Sequence, residues 1–339
     1  MPGTSRSNIG RVDENDGRWF AIMKILDGIM GLAVGDALGV PVEFNSRASL
    51  QENPVTNMRG YGTYNQPPGT WSDDTSMTLC LLDSMKNGIN YTDIMDKFVS
   101  WLDDAKYTAH GEVFDVGIAT RKAIERYKRG LEPLNCGGQA ETDNGNGALM
   151  RILPVAFYLH KNNITKGSQM REIIQNICSL THAHQISHIA CTVYIMIAIE
   201  MLSGEKDVWQ CVRLGIMRAH KIYGQPCPIS GEFKHFKRLC DIGFKGHPKH
   251  EISSTGYVVH TLEAAIWCLL NTYKYKDCVL TAVNLGGDTD TTAAVVGGLA
   301  GLHYGYDSIP EEWINALAKH DFIMGTCLRA QKNIKKVKV

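Results

Sequence analysis

The chain has 339 residues, 44% of them hydrophobic and 21% charged, enough to bury one large core. Lys and Arg together number 35, as do Asp and Glu, so the net charge gives no sign of nucleic-acid or membrane partners. The ten cysteines include no C-x-x-C pair, and Cys80, Cys191 and Cys268 sit in apolar runs, the pattern of reduced core residues in a cytoplasmic protein rather than of a disulfide framework or thiolate zinc site.

Residues 1–18 are polar, lack an apolar run of signal-peptide length and read as a flexible arm. The hydrophobic period is then helical. Residues 20–38 are apolar, with Gly28, Gly31, Gly35 and Gly39 at spacings of three and four, so one face is nearly bare and open to close approach by another helix or a ligand. Further helices are expected over 75–85, 91–102, 116–129, 148–159, 168–180, 184–202, 208–222, 257–271, 275–285, 291–302 and 311–323. No hairpin turn is flanked by alternating strands, and no uninterrupted apolar stretch approaches the roughly 20 residues of a membrane span. The expected fold is all-α, a single compact helical domain over 19–331, followed by a frayed basic tail over 332–339.

Two acidic clusters stand at helix starts: Ser72-Asp73-Asp74-Thr75 and Gly286-Gly287-Asp288-Thr289-Asp290-Thr291. Helix capping needs one such residue, and here they come in runs. If the clusters face each other, like charges about 4 Å apart repel by roughly 4 kcal/mol at an effective dielectric near 20. Such a set requires protons or cations. Oxygen donors without Cys or His select hard ions such as magnesium or manganese. Capping and metal binding both remain open on pattern alone. Between the clusters, Asp143-Asn144-Gly145-Asn146-Gly147 is either an ordinary turn or a loop whose left-handed residues aim several N–H groups at a diphosphate.

Five motifs in order, Gly31 to Gly39 (GLAVGDALG), Ser72 to Thr75, Asn144 to Gly147 with Met150-Arg151, Thr181-His182-Ala183, and Gly286 to Thr291, resemble the ADP-ribosylglycohydrolase family, most closely its dinitrogenase reductase-activating branch. The resemblance spans about residues 25–315. It implies an all-α fold and two Mg2+ or Mn2+ ions held by Glu43, Ser72, Asp73, Asp74, Asp288, Asp290 and Thr291, with Asp290 bridging. It also implies that the 143–147 loop cradles the diphosphate and adjoining ribose, that His182 touches substrate, and that Asp115 lies on the substrate side, where a helix cap is the alternative. Tyr257 is a candidate for stacking on adenine, or a core residue. His184 and His188 are spaced as in zinc peptidases, but Gln185 replaces the general-base glutamate and no third ligand suggests itself.

The implied reaction is hydrolysis of the N-glycosidic bond joining ADP-ribose to a modified protein side chain, most closely arginine, through an oxocarbenium-like transition state. The ions hold ribose hydroxyls and activate a water, Asp73 or Asp74 takes its proton, and Asp115 or Glu43 protonates the leaving guanidine. Hydrolysis of serine-linked ADP-ribose or of free nucleotides is a rival reading, and so is a non-catalytic ADP-ribose-binding protein. Some bacterial relatives are immunity proteins that plug an ADP-ribosylating toxin with an N-terminal extension, a role open to the arm through Arg6 or Arg11.

Overall fold

The computed structural model describes residues 17–224 and 231–334. Among these residues there are fourteen α-helices and no strand, only three isolated bridges. In chain order the helices are α1 Gly17–Gly39, α2 Arg47–Glu52, α3 Asp73–Met85, α4 Tyr91–Asp104, α5 Ile118–Lys128, α6 Leu153–Lys161 and α7 Gly167–Ser179. They continue with α8 Gln185–Leu202, α9 Val208–Tyr223, α10 Val258–Leu270, α11 Tyr275–Val283, α12 Thr289–Tyr304, α13 Glu311–Ala316 and α14 His320–Asn333.

The glycine face of α1 packs against another helix. A Cβ on Gly31 would lie 2.3 Å from the Gly297 carbonyl oxygen, one on Gly35 2.2 Å from that of Ala293, and one on Gly39 2.3 Å from the Cα of Asp290. As numbers rise along α1 they fall along α12, so the two helices run antiparallel with their backbones in contact. The C-terminus of α1 therefore meets the N-terminus of α12, where the second acidic cluster begins. The Thr289 hydroxyl closes the junction by donating to the Gly39 carbonyl at 2.8 Å.

Two helical windows, Lys24–Val42 and Gln185–Leu202, have the length and apolar composition of a membrane span, more than the sequence suggested. They are 100% and 83% buried inside the protein, so packing accounts for their hydrophobicity. The nine described cysteines are free, and eight are buried.

Four expectations need correction. The 148–159 helix starts at Leu153, because Pro154 suits only a first turn; a 3-10 turn at Asn146–Ala148 precedes it. The 311–323 helix is broken into α13 and α14. There the Ala318 N–H donates to the Gly69 carbonyl at 2.9 Å, Trp71 Nε1 donates to the Ala318 carbonyl at 2.8 Å, and Lys319 turns left-handed. The basic tail does not begin at 332, since α14 continues to Asn333 and Ile334 is buried. Helix α1 starts at Gly17, inside the segment expected to be an arm; the rest of that segment, residues 1–16, lies outside those described.

Candidate active site

Both acidic clusters are N-termini, and the cap of α3 is shared. Ser72 Oγ accepts the Asp74 N–H at 3.3 Å, while Asp36, from the last turn of α1, accepts the Ser72 N–H at 2.9 Å, the Thr75 N–H at 3.0 Å and the Thr75 hydroxyl at 2.6 Å. With Ser72 and Asp36 supplying the cap, Asp73 and Asp74 are released from that duty. At α12, Gly286 and Gly287 take φ of +76° and +75°, which glycine adopts without strain. This bend lets the Gly287 carbonyl accept the Phe44 N–H at 2.7 Å and the Asp288 N–H reach Ser254 O at 2.8 Å. Glu43 is thereby held beside Asp288.

The result is a knot of carboxylates with too few donors. Asp36, Asp74 and Asp290 are fully buried, and Glu43 and Asp73 nearly so. Glu43 Oε2, Asp74 Oδ1, Asp288 Oδ1 and Asp290 Oδ2 are buried without any hydrogen-bond partner. Carboxylate oxygens of Asp36, Asp74 and Asp290 lie within 4.8 Å of one another, as do those of Glu43, Asp115 and Asp290, so Asp290 is common to both groups. At that separation each charged pair repels by about 3–4 kcal/mol at an effective dielectric near 20. Burial, then the charges of Asp115 and Asp288, pushes Glu43 up to about 9. Burial and neighbouring carboxylates hold Asp73, Asp74 and Asp290 well above the usual range. Orphaned oxygens in an all-oxygen donor set fit a divalent hard cation. Asp36, whose carboxylate is engaged by α3, acts as a holder, although its oxygens are close enough to ligate. Ser72 and Thr291 donate hydroxyls to Asp74 Oδ2 at 3.1 and 3.4 Å.

Glu43, Asp73, Asp288 and Thr291 face a pocket of about 260 Å3. Its other wall is Gly145, Asn146, Gly147 and His182, and Asp115 also lines it. A larger apolar cavity of about 430 Å3, between α9 and residues 239–245, contains a single carboxylate, Asp241, and no comparable cluster. Chemistry, not size, selects the smaller one.

The glycine loop differs from its expected form. None of residues 143–147 is left-handed, and the Asn146 N–H is taken by the Gly256 carbonyl at 3.0 Å, so the loop is not a cradle of consecutive free amides. Glycine is required by close approach: a Cβ on Gly147 would lie 2.9 Å from His182 Cε1 and from Thr120 Oγ1. Asp143 and Asn144 do not line the pocket. The Asp143 carboxylate accepts the Ala140 N–H, and Asn144 is bonded to Glu141, His184 and Ser187. Asn146 Nδ2 donates to Asp288 Oδ2 at 2.8 Å, linking the two walls.

Asp115 is not a helix cap, since α5 starts at Ile118 behind Gly117; it sits at φ +54° and accepts the Tyr64 hydroxyl at 2.7 Å. Tyr257 precedes α10 as its cap, pairs by backbone with Gly145, and meets His260 edge-on with ring centroids 5.1 Å apart. Gly256, not Tyr257, lines the pocket. His184 Nδ1 caps α8 at the Ile186 N–H and His188 Nε2 meets Ser179 Oγ at 2.9 Å, so this pair is occupied structurally. Asp36 and Tyr64 had no role assigned from sequence; a lone aspartate within the apolar α1 was the available signal for the first.

Residues 21–337 match the family profile described as ADP-ribosylglycohydrolase. The chain is 33% identical over 312 residues to the ADP-ribosylarginine hydrolase Tri1 of Serratia proteamaculans, covering 88% of this chain and 76% of that protein. It is 31% identical over 298 residues to the ADP-ribosyl-[dinitrogen reductase] glycohydrolase of Rhodospirillum rubrum, covering 87% and 90%. A solved structure described as an ADP-ribosylglycohydrolase-related protein complex superposes with a TM-score of 0.75 at 30% identity, covering 93% of this chain and 99% of that one.

Proposed function

The chain belongs to the ADP-ribosylglycohydrolase family, and from that premise we propose that it is a hydrolase removing ADP-ribose from modified arginine on a protein. The observation that carries the chemistry is the set of four buried, partnerless carboxylate oxygens beside a pocket whose other wall is uncharged. Arginine linkage rests on the names of the relatives in Serratia proteamaculans and Rhodospirillum rubrum.

The site's proposed cofactors are two Mg2+ or Mn2+ ions, which Glu43, Ser72, Asp73, Asp74, Asp288, Asp290 and Thr291 would hold; Asp290 is the carboxylate common to the two close groups. Bound ions would supply positive charge for the ribose hydroxyls and lower the pKa of a water. Asp73, which lines the pocket, would accept a proton from that water. Asp115 and Glu43 face the side where the guanidine would leave; both touch the Tyr64 hydroxyl, which orients them. Gly145, Gly147 and His182 form a neutral surface for the diphosphate and ribose. The test is release of ADP-ribose from arginine-modified and serine-modified proteins, with magnesium and with chelator. Arginine-specific, chelator-sensitive release is expected; serine-only release, or full activity in excess EDTA, overturns the linkage or the metal assignment respectively.

The polar arm is proposed as a contact for a cognate ADP-ribosyltransferase, supported only by its composition and by its position ahead of the hydrolase fold. Deleting residues 1–16 should leave hydrolysis intact and weaken transferase binding; equal binding by both forms removes the idea.

A further inference from the structure

Behind the neutral wall runs a buried relay that no assigned ligand uses. Arg151 is completely buried, and no carboxylate pairs with it among the described residues. Its guanidinium lies 4.9 Å over the Phe98 ring, and Nε and Nη1 have no partner. Burying an unpaired charge is costly, and an uncharged chain such as Met would fill the same space. The charge has one strong outlet: Nη2 donates to Thr181 Oγ1 at 2.7 Å, with the Ile177 carbonyl more distant at 3.5 Å. Thr181 Oγ1 in turn lies 2.8 Å from His182 Nδ1.

Proton bookkeeping sets the direction. A guanidinium only donates, so Thr181 Oγ1 accepts from Arg151 and keeps its own single proton to give away. The oxygen has a second lone pair, but its proton has no acceptor other than Nδ1 of His182 among the described hydrogen bonds, so it goes to the Nδ1 lone pair. The imidazole proton then resides on Nε2, which makes no hydrogen bond within the described chain and borders the pocket beside Gly145 and Gly147. We propose that Arg151 is a positioning residue that, through Thr181, locks His182 as its Nε2–H tautomer, giving the pocket a fixed hydrogen-bond donor for an oxygen of the ADP-ribose diphosphate. The substrate half of this statement rests on the proposed hydrolase function; the tautomer half does not. Burial, then the Arg151 charge, lowers His182 to about 3, so the ring stays neutral in ordinary buffers.

The experiment combines 15N NMR of the His182 ring with ADP-ribose titration calorimetry on the full chain. Wild type should show a protonated Nε2 and an unprotonated Nδ1. Thr181→Val, which keeps shape but removes the hydroxyl, should move proton density to Nδ1 and weaken ADP-ribose binding about tenfold, the loss expected for one hydrogen bond. Thr181→Ser should restore both. Arg151→Met should repeat the tautomer shift, and if that variant fails to fold the Thr181 pair decides alone. An unchanged Nε2–H signature in Thr181→Val overturns the relay. A relay that behaves as stated in a wild-type protein without ADP-ribose affinity would confirm the tautomer lock and instead sink the substrate assignment of the pocket.

Discussion

On one wall of the pocket, Glu43, Asp73 and Asp288, backed by Asp74 and Asp290, hold more buried negative charge than their donors can satisfy. On the other, Gly145, Asn146, Gly147 and His182 are uncharged and their side chains are engaged or neutral. The difference teaches how each wall is stabilised. The acidic wall depends on something from outside, protons or cations, whereas the neutral wall carries no net charge and leaves one ring nitrogen, His182 Nε2, open to the pocket. Function and stability are therefore opposed by repulsion on the first wall, and on the second only by the unpaired Arg151 buried behind it.

The strongest way to break this contrast is at Asp290, the carboxylate common to both close groups. Asp290→Asn should lower turnover by about 10^2- to 10^3-fold, the scale seen when a key electrostatic stabiliser is lost, with the helical circular-dichroism spectrum intact. Near-normal turnover would reduce the second cluster to a helix start.

A smaller effect should appear in thermal melts. At a magnesium concentration near one hundred times Kd, mass action adds about 2.7 kcal/mol and raises Tm by about 4 °C for a chain of this size. The two walls should also respond to pH with opposite signs in chelated protein. Glu43 is raised in the fold from 4.5 to about 9, so its cost is absent below pH 4.5 and grows as pH climbs toward 9. His182 is lowered from 6.5 to about 3, so its contribution is intact above pH 6.5 and is lost as pH falls toward 3. Glu43→Gln should flatten the alkaline side of the Tm profile, and His182→Asn the acidic side. An alkaline slope that survives Glu43→Gln assigns the strain to the other carboxylates.

The mildest test separates two glycines of the neutral wall. At Gly145 a Cβ would meet nothing nearer than His182 Nε2 at 3.7 Å, so Gly145→Val should keep Tm and weaken ADP-ribose binding about tenfold by covering that nitrogen. Gly147→Val collides with His182 and Thr120 and should lower Tm as well. Equal Tm values for the two variants would mean that the loop can move away, and that the wall is softer than its contacts imply.

Much of the fold could be read in advance because it is local. The α8 segment was legible within one residue at its start, α9 within one at its end, and the α12 start within two. The misread elements were those decided elsewhere: the break between α13 and α14 is imposed by Gly69 and Trp71, far away in sequence. At the site, the acidic runs were visible as too many capping residues in a row, but the part played by Asp36 was not, because its partners Ser72 and Thr75 lie 36 and 39 residues on. On composition the 143–147 loop was either an ordinary turn or a left-handed anion cradle; contacts with Gly256 and His182 give it a shape without left-handed residues.

What the chain determines by itself is helical periodicity, the bare glycine face of α1 and the placing of two acidic clusters at N-termini, since each depends on neighbours within a turn or two. Tertiary structure alone decided that the α1 glycines face α12 rather than a ligand, that Asp74 and Thr291 meet across 217 residues, and that a buried arginine stands behind His182. Periodicity specifies which face of a helix is apolar. It carries no information about which other face will cover it, and charge convergence is a property of that choice.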